Sequence, residues 1–329
     1  MLLEAEHQFK MTCPYEYISD ERVLELLTWE NTFEASECSL KSVATGNAFQ
    51  SPRAKAQMGD RFDFLFCMIG HLRDPKFGAL TNHSFSKFNG NPSLRPPLPI
   101  IHSDITFIDV DTGVTKAIIA GNECMEWKTA GASTMATKHL HGGKPKHILA
   151  VVGAGLEGKI HAIALQKYFN FKEVRIWNRT KSKAVDAVNT FNRGLSKKVY
   201  VVADSVQECI YNADVIVTAT PAAATLVKFE WVKKGAHINA VGVNPFNTEL
   251  DAATYKGSKI YCDYWEGANT ELLHITALGG KIVGQVGDVI AGKIPAPGAH
   301  DTTIFQSLGM AVQDCAMARM IYDLHQKTC

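Results

Sequence analysis

Residues 147–180 read HILAVVGAGLEGKIHAIALQKYFNFKEVRIWNRT, and this stretch decides the fold. The opening run 147–152 is apolar, rich in β-branched side chains and too short for a buried helix, so it predicts a central parallel strand. The glycine-rich hexapeptide Gly153–Gly158 follows directly. After it come a helical segment through Phe169 and a second strand over residues 172–177. This order of elements is typical of a βαβ unit.

The spacing of three glycines indicates a dinucleotide site. Gly153 permits a tight turn, Gly155 lets the backbone approach a pyrophosphate, and Gly158 lets the helix pack closely on the sheet. The free N–H groups and the dipole at the helix start attract phosphates. The expected cofactor-binding residues are therefore Gly153, Ala154, Gly155, Leu156, Glu157 and Gly158. The alternative is a glycine turn that serves packing alone.

The end of the second strand predicts which dinucleotide binds. NAD sites usually place a carboxylate there, which accepts hydrogen bonds from the ribose 2′-hydroxyl and repels a 2′-phosphate. Here Asn178, Arg179 and Thr180 occupy this position without an acid. Arg179 can pair with a phosphate through two N–H groups, and its neighbours add hydrogen bonds. Lys181 and Lys183 extend the positive rim. The sequence thus predicts NADP(H) rather than NAD(H); the alternative is a solvated charge cluster at a helix start.

Strand–helix alternation begins after Gly142-Gly143 and continues past Thr180. We expect helices over 181–193 and 205–212, and strands over 198–203, 215–221, 236–241 and 259–263. The fold class is therefore α/β, with a doubly wound parallel sheet of the Rossmann type. Ligands of such sheets gather at the carboxyl ends of the strands. This rule adds candidates beside the cofactor, namely Thr218, Ala219, Thr220, Val241 and Gly242. The alternative for these small residues is simple packing at strand ends.

The chain before residue 142 predicts a mixed α+β region that leans towards antiparallel pairing. Helical spacing and a good N-cap predict helices that begin at Ser19 and cover 29–45 and 123–140. Apolar runs predict strands over 62–69 (buried), 76–88, 105–110 and 114–120. The last two flank Asp111-Thr112-Gly113, which is a hairpin signal. Two segments are expected to be irregular, the polar stretch 46–58 and the Pro- and Asn-rich loop 89–99.

The C-terminal segment 303–325 predicts a long helix. Its apolar side chains share one stripe, formed by Ile304, Leu308, Ala311, Cys315, Ala318 and Tyr322. A helix that follows the last strand must bury this stripe. Packing it on the N-terminal region would close the chain into two lobes with a cleft between them.

Composition excludes several classes of protein. The 329 residues are 46% hydrophobic and 20% charged, and the formal net charge of +1 gives no support for nucleic-acid or membrane-surface binding. No apolar run approaches the length of a membrane span. The eight cysteines form no CxxC pair, and Met1–Lys10 is unlike a signal peptide and looks like a loose extension. We therefore expect a cytoplasmic protein with reduced thiols and no bound metal.

Three segments carry a resemblance to a known family: KEVRIWNRTK (172–181), WVKKGAHINAVG (231–242) and SLGMAVQ (307–313). They are similar to the ornithine cyclodeaminase/mu-crystallin family, particularly its animal ketimine reductase branch. The resemblance implies a homodimer. It also implies a substrate-binding and dimerisation domain over residues 1–127, completed by the C-terminal helix 303–329, and an NADP-binding Rossmann domain over 128–302. Relatives reduce cyclic ketimines with NADPH and bind thyroid hormone, or, as cyclodeaminases, keep NAD bound and release ammonia from ornithine.

The resemblance also implies site residues, and this chain departs from some of them. The family holds a substrate carboxylate with two arginines and a lysine, and Arg53 fits the first arginine. His83 stands where the lysine is expected, and Lys128, which precedes Thr129-Ala130, stands at the second arginine. The catalytic aspartate of cyclodeaminases is replaced by Asn244. Lys128 offers a point charge where Arg would offer a planar fork, so the anion clamp is weaker or serves a different ligand.

These residues lead to two functional hypotheses. The first is an NADPH-dependent reductase of a small imine, such as a cyclic ketimine carboxylate, or of a related carbonyl compound. In it Arg53 and Lys128 hold the acid group, and His83 orients or protonates the substrate. The alternative for Lys128 is that it faces the cofactor phosphates with Thr129. Loss of the aspartate at Asn244 argues against cyclodeamination, which needs a base to activate water. The second is a binding protein for NADPH and a small ligand with little or no turnover. A relative with new chemistry is a third reading.

Overall fold

The N-terminal part of the chain forms a mostly antiparallel sheet flanked by helices. The computed structural model describes residues 15–59, 62–222, 224–242 and 248–328. Its first elements are β1 (Glu16–Ile18), α1 (Asp20–Leu26), α2 (Trp29–Thr45), β2 (Ala48–Gln50), β3 (Ala54–Gln57), β4 (Phe64–Leu72), β5 (Ala79–Lys87), β6 (Ile101–Ile108), β7 (Thr115–Ala120) and α3 (Asn122–Leu140). Within the described residues the strands lie in the order β1-β7-β6-β5-β4-β2, and β3 also pairs with β4. Among the described strands of this first sheet, β1 and β7 pair in parallel and all the other neighbours pair antiparallel.

The rest of the chain forms a parallel sheet with alternating helices. Its elements are β8 (Ile148–Val152), α4 (Leu156–Phe169), β9 (Glu173–Trp177), α5 (Lys181–Phe191), β10 (Tyr200–Val202), α6 (Val206–Ile210), β11 (Val215–Thr218), β12 (His237–Ala240), α7 (Ala252–Lys256), β13 (Lys259–Cys262), α8 (Trp265–Glu271), α9 (Leu273–Ala277), β14 (Ile282–Gln285), α10 (Val286–Ile290), β15 (Thr303–Gln306) and α11 (Ala311–Thr328). The order β10-β9-β8-β11-β12-β15-β13-β14 begins as a doubly wound sheet does. The predicted α/β fold class is confirmed.

Side-chain caps explain where the N-terminal helices begin. The Ser19 hydroxyl accepts a hydrogen bond from Arg22 N, and the Thr28 hydroxyl accepts one from Asn31 N. Both satisfy N–H groups that have no partner within the helix. Helix α2 ends at Thr45, and the residue that caps it is Gly46. Its φ of +75° lies in the left-handed region, which glycine adopts readily.

Helices α3 and α11 connect the two sheets. Helix α11 packs on one face of the antiparallel sheet, where Cys315, Met317 and Ile321 meet Ile105 and Ile119. Helix α3 contacts α1 and α2 on one side and α4 on the other. The proposed domain boundary at residues 127/128 falls within α3 and remains a prediction. In the described part of the chain, no helix is long and apolar enough to cross a membrane.

The predicted C-terminal helix was wrong in its first third. Residues Thr303–Gln306 form β15, which pairs in parallel with both β12 and β13, and the helix begins only at Ala311. Gly309, with a φ of +80°, lies in the turn between them. Ile304 and Leu308 imitate a helical stripe, because a short buried apolar run gives the same pattern in a strand and in a helix.

Two further expectations need correction. Residues 46–58 are not irregular throughout, since β2 and β3 pair with β4 at the edge of the sheet. All four residues of β3 are exposed, so backbone pairing rather than side-chain burial makes this strand. The strand predicted over 62–69 exists, but it is buried on one face only, and Ile69 is 50% exposed. The N-terminal extension Met1–Lys10 lies outside the described residues.

Candidate functional site

The glycine turn after β8 has the geometry that a dinucleotide needs. Gly153 adopts a φ of +118°, and an added Cβ would lie 2.5 Å from the Ala219 carbonyl oxygen. A Cβ on Gly158 would lie 1.9 Å from the Gly153 carbonyl oxygen, so only glycine lets α4 pack this closely on the sheet. Gly155 faces open space and precedes α4 without a side-chain cap. The first N–H groups of α4 are therefore available to a phosphate.

Glu157 is the one acidic side chain of this turn, and burial changes its charge. Burial raises its pKa to about 8, and Glu126 acts in the same direction while Lys128 opposes it. Burial therefore disfavours the charged form of the Glu157 carboxyl group. A neutral group beside the free N–H groups at the start of α4 would avoid the repulsion that a carboxylate exerts on a phosphate. Leu156, the residue before it, is largely exposed at the helix start.

The end of β9 is tied directly to the glycine turn. Ala154 N donates to Asn178 Oδ1 at 3.0 Å, and Asn178 Nδ2 donates to the Thr180 carbonyl oxygen at 2.9 Å. Arg179 and Thr180 are exposed beside this link. The three predicted ribose-end residues thus lie together. The Lys181 ammonium is paired with Asp204 at 2.5 Å, so part of the expected positive rim is neutralised.

The ends of β11 and β12 meet the same turn. Val241 N and Gly242 N both donate to the Thr218 carbonyl oxygen. Ala219 and Thr220 lie against Gly153, within 3.0 Å of where its Cβ would be. The structure therefore brings together the strand-end candidates predicted from the sequence. Thr129 lies on α3, and its hydroxyl donates to the Met125 carbonyl oxygen of the same helix.

His83 and Lys128 belong to a buried cluster of charges. Lys128 Nζ donates to Asp314 Oδ1 at 2.5 Å, and Asp314 Oδ2 lies 3.2 Å from His83 Nδ1. His83 Nε2 is 2.7 Å from the Ser103 hydroxyl. Lys128 is 3% exposed, and His83 and Asp314 are fully buried. Asp314 was not among the predicted site residues, although an acid next to the buried stripe of α11 was a signal for it.

Arg53 lies apart from this cluster, at the turn before α11. Its guanidinium donates to the carbonyl oxygens of Leu308 and Gly309 and pairs with Glu271 at 3.3 Å. Asp263, also missed from the sequence, accepts hydrogen bonds from the N–H groups of the same two residues. Burial raises the pKa of Asp263 to about 6, although these hydrogen bonds lower it.

A cavity of about 830 Å³ opens beside Arg53. Its walls include four aromatic side chains, Phe49, Phe66, Tyr264 and Trp265. Arg53 lines this cavity, and its side chain is about one quarter exposed, although its Nε atom is buried. Asn244, the position of the family's aspartate, lies outside the described residues. No group of three or more metal-ligating side chains occurs in the part of the chain that the structure describes.

The buried cluster makes a stability prediction for Asp314→Asn. The variant leaves the Lys128 ammonium buried without its counter-charge, so we expect the free energy of unfolding to fall by about 3–5 kcal/mol. Asp323→Asn is the matched control, because Asp323 lies on the same helix and pairs with Arg319 near the surface. Its loss should stay below about 1 kcal/mol. Urea unfolding followed by circular dichroism measures both, and equal losses would contradict the role of the cluster.

Acidification should reduce the difference in the free energy of unfolding between the wild type and Asp314→Asn. Burial alone would raise the pKa of Asp314, but the charges of His83 and Lys128 outweigh it and hold the pKa below its usual value. The stabilisation is therefore present above the unfolded-state pKa of about 3.9 and is lost as the pH falls through the lower folded-state pKa. The stability difference between wild type and Asp314→Asn should be full near neutral pH and shrink on acidification below about pH 4.

Comparisons with known proteins show relatives that match most of the chain. The ketimine reductase mu-crystallin of Mus musculus is 36% identical over 293 residues, which cover 88% of this chain and 90% of the relative. The iminosuccinate reductase of Paracoccus denitrificans is 29% identical over 320 residues, covering 93% of this chain and 95% of the relative.

Solved structures match over nearly the whole chain. The P. denitrificans iminosuccinate reductase in complex with NAD+ has a TM-score of 0.86 at 26% identity, over 95% of this chain and 97% of that chain. An archaeal alanine dehydrogenase dimer with bound NAD has a TM-score of 0.86 at 27% identity, with the same coverage. The model of the ornithine cyclodeaminase/mu-crystallin family matches residues 17–328, and the chain belongs to this family.

Proposed function

We propose that this protein is an NADPH-dependent reductase of a small imine, of the cyclic ketimine carboxylate kind, or of a related carbonyl compound. Two of the relatives are named as reductases of a ketimine and of iminosuccinate, both of which contain a C=N bond. One observation carries the proposal. The Arg53 guanidinium donates hydrogen bonds to the carbonyl oxygens of Leu308 and Gly309. The preceding residue, Ser307, donates its N–H to the carbonyl oxygen of Ala240, the last residue of β12. The Arg53 guanidinium therefore lies at the sheet edge that also carries the glycine turn.

The residues of the proposed site have different roles in the reaction. A reduced nicotinamide bound at the glycine turn would supply the hydride, and the residues of the chain would hold and orient the substrate. Arg53 holds the carboxylate of the substrate, and Lys128 adds positive charge from α3. His83 lies behind Lys128 and acts on it through Asp314, because its ring is fully buried and bonded to Ser103. The glycine turn and the ends of β11 and β12 hold the dinucleotide.

Arg53→Ala tests the reductase. We expect the wild type to oxidise NADPH with a panel of cyclic ketimine carboxylates, or with 2-oxo acids plus amines. The variant should lose about 10–100-fold in kcat/KM, because an ionic hydrogen bond contributes about 1.5–3 kcal/mol. NADPH absorbance follows the reaction. Arg193→Ala, an exposed arginine beyond α5, is the control and should be unchanged. An Arg53→Ala enzyme as active as wild type would contradict the proposed substrate site.

The cavity beside Arg53 favours a second candidate function. Its volume of about 830 Å³ and its aromatic walls suit a small aromatic ligand. The chain would then bind NADPH and such a ligand with little or no turnover, consistent with the changed residues His83 and Asn244. Tight NADPH binding without oxidation by any member of the panel would favour this function over the reductase.

The cofactor preference rests on Arg179. Both solved relatives described above hold NAD, whereas the β9 end of this chain offers an exposed arginine beside Asn178 and Thr180. We propose that the Arg179 guanidinium pairs with the 2′-phosphate of NADPH. A phosphate in this position receives two parallel N–H bonds, which no ribose hydroxyl can use.

Arg179→Asp should therefore change the cofactor preference. We expect NADPH affinity to fall by about 30–150-fold, which corresponds to roughly 2–3 kcal/mol, because the variant loses the pairing and adds repulsion. NADH affinity should change by only a few-fold. Nucleotide fluorescence measures both dissociation constants. Arg193→Asp carries the same charge change away from the turn and serves as the control. Equal losses for NADPH and NADH would show that Arg179 does not contact the 2′-phosphate.

The antiparallel sheet supports a homodimer. Helix α11 covers one face, while the opposite face exposes Leu65 and Ile69 of β4, and Phe49 of β2 lies near them. Nothing in the described part of the chain packs over this face at Ile69, which is half exposed. An apolar sheet face of this kind usually meets another protein surface. We propose that a second copy of the chain covers it.

The six free cysteines among the described residues fit the expected cytoplasmic location.

Ile69→Lys tests the dimer. A charge placed between two such faces must be buried without a partner, so we expect the variant to be monomeric at concentrations where the wild type is dimeric. Size-exclusion chromatography with light scattering gives the mass. Val201→Lys, at an exposed position on the edge strand β10, is the control and should leave the mass unchanged. A monomeric wild type, or a dimeric Ile69→Lys variant, would contradict this interface.

A further inference from the structure

Glu249 is a buried carboxyl group at the carboxyl edge of the parallel sheet. It is 4% exposed, and it was not among the site residues predicted from the sequence. Its Oε1 accepts two hydrogen bonds from Thr220, one from the backbone N–H at 2.8 Å and one from the hydroxyl at 2.6 Å. Its Oε2 lies over Gly242, 2.4 Å from where a Cβ would stand. One side chain thus contacts the segments that follow β11 and β12.

The backbone of Glu249 is held as firmly as its side chain. Its carbonyl oxygen accepts hydrogen bonds from Leu226 N and Val227 N, both at 2.9 Å. Val227 also pairs with Leu250 in a parallel bridge, and Asp251 N donates back to the Val227 carbonyl oxygen. The carboxyl group is therefore presented to Thr220 from a fixed backbone rather than from a free loop.

Thr220 transmits this constraint to the glycine turn. Its Cγ2 lies 2.9 Å from the Cβ position of Gly153, and the preceding Ala219 carbonyl oxygen lies 2.5 Å from it. Ala219 N donates to the Val152 carbonyl oxygen at 3.0 Å, at the end of β8. The contacts therefore run from Glu249 through Thr220 to the turn that would hold the pyrophosphate.

Burial shapes the chemistry of this carboxyl group. It raises the pKa of Glu249 to about 7, although the hydrogen bonds from Thr220 act in the opposite direction. Burial makes this carboxyl group costly to ionise, so its contribution to the structure lies in the hydrogen bonds that it accepts. Removing its acceptor oxygen would leave the Thr220 N–H buried without a partner, which favours a rearranged 218–220 segment.

We propose that Glu249 is a positioning residue of the dinucleotide site: it holds Thr220 against Gly153 and so fixes the segment on which the nicotinamide half of the cofactor lies. This inference rests on the proposed NADPH site. It assigns Glu249 no contact with the substrate or the cofactor. The adenosine half of the nucleotide lies at Arg179 and the start of α4, which are held to the glycine turn through Asn178 rather than through Glu249.

Glu249→Leu tests the proposal with two ligands. NADPH covers both halves of the site, whereas adenosine 2′,5′-bisphosphate covers only the adenosine half. We expect the variant to bind NADPH about tenfold more weakly or worse, while its affinity for the bisphosphate stays within about twofold, because the variant removes the buried hydrogen-bond acceptor of Thr220 and leaves the Arg179 end of the site unchanged. Calorimetry on the full chain measures both. Glu249→Gln keeps an acceptor for Thr220 and should stay close to wild type for both ligands.

Two results would overturn the proposal. The first is a Glu249→Leu protein that keeps its NADPH affinity. The second is a variant that loses both ligands in parallel, which would show a merely structural role. If Glu249→Leu does not fold, Glu249→Asp replaces it, because one methylene fewer draws the carboxyl group away from Thr220 and should give the same selective loss. Glu230→Gln, an exposed acid nearby, controls for the charge change. A wild type that binds neither ligand would refute the proposed cofactor site instead.

Discussion

The approach of α4 to the end of β8 is the constraint on which the rest of the structure depends. With a Cβ at residue 158 only 1.9 Å from the Gly153 carbonyl oxygen, any side chain there would lift the helix from the sheet. The helix start, with its unpaired N–H groups, would then move away from the turn. Asn178 and Thr220 both contact this turn, so the segments that follow β9 and β11 are positioned against the same point of the backbone.

The buried cluster resembles a catalytic triad in its contacts, but a substrate cannot reach it. Ser103, His83 and Asp314 are connected in the order of a hydrolase triad, with contacts of 2.7 and 3.2 Å. All three are buried, and Gly121 at the start of α3 lies directly on the Ser103 side chain. No substrate carbonyl can reach the serine oxygen, so the arrangement is no hydrolytic site. Its consequence for function is to fix Lys128 and to neutralise part of its charge.

Local patterns predicted the parts of the molecule that local physics determines. The βαβ unit over residues 147–180, the 105–120 hairpin and helix α3 follow from periodicity and turn chemistry, and the structure has all of them. Strands β2, β3 and β15 could not be found in this way, because partners distant in the sequence create them. The same holds for Glu249 and Asp263. Their importance comes from the backbone or charge that each one meets after folding, which no spacing along the chain reveals.

The place of β15 in the sheet has a consequence for folding. Residues 303–306 insert between β12 and β13, so in the described part of the chain β13 and β14 reach the remainder of the sheet only through β15. Until β15 pairs, the facing edges of β12 and β13 have no partner strand. Such edges are templates for aggregation. Removing residues 303–306 would therefore split the sheet in two and expose both edges.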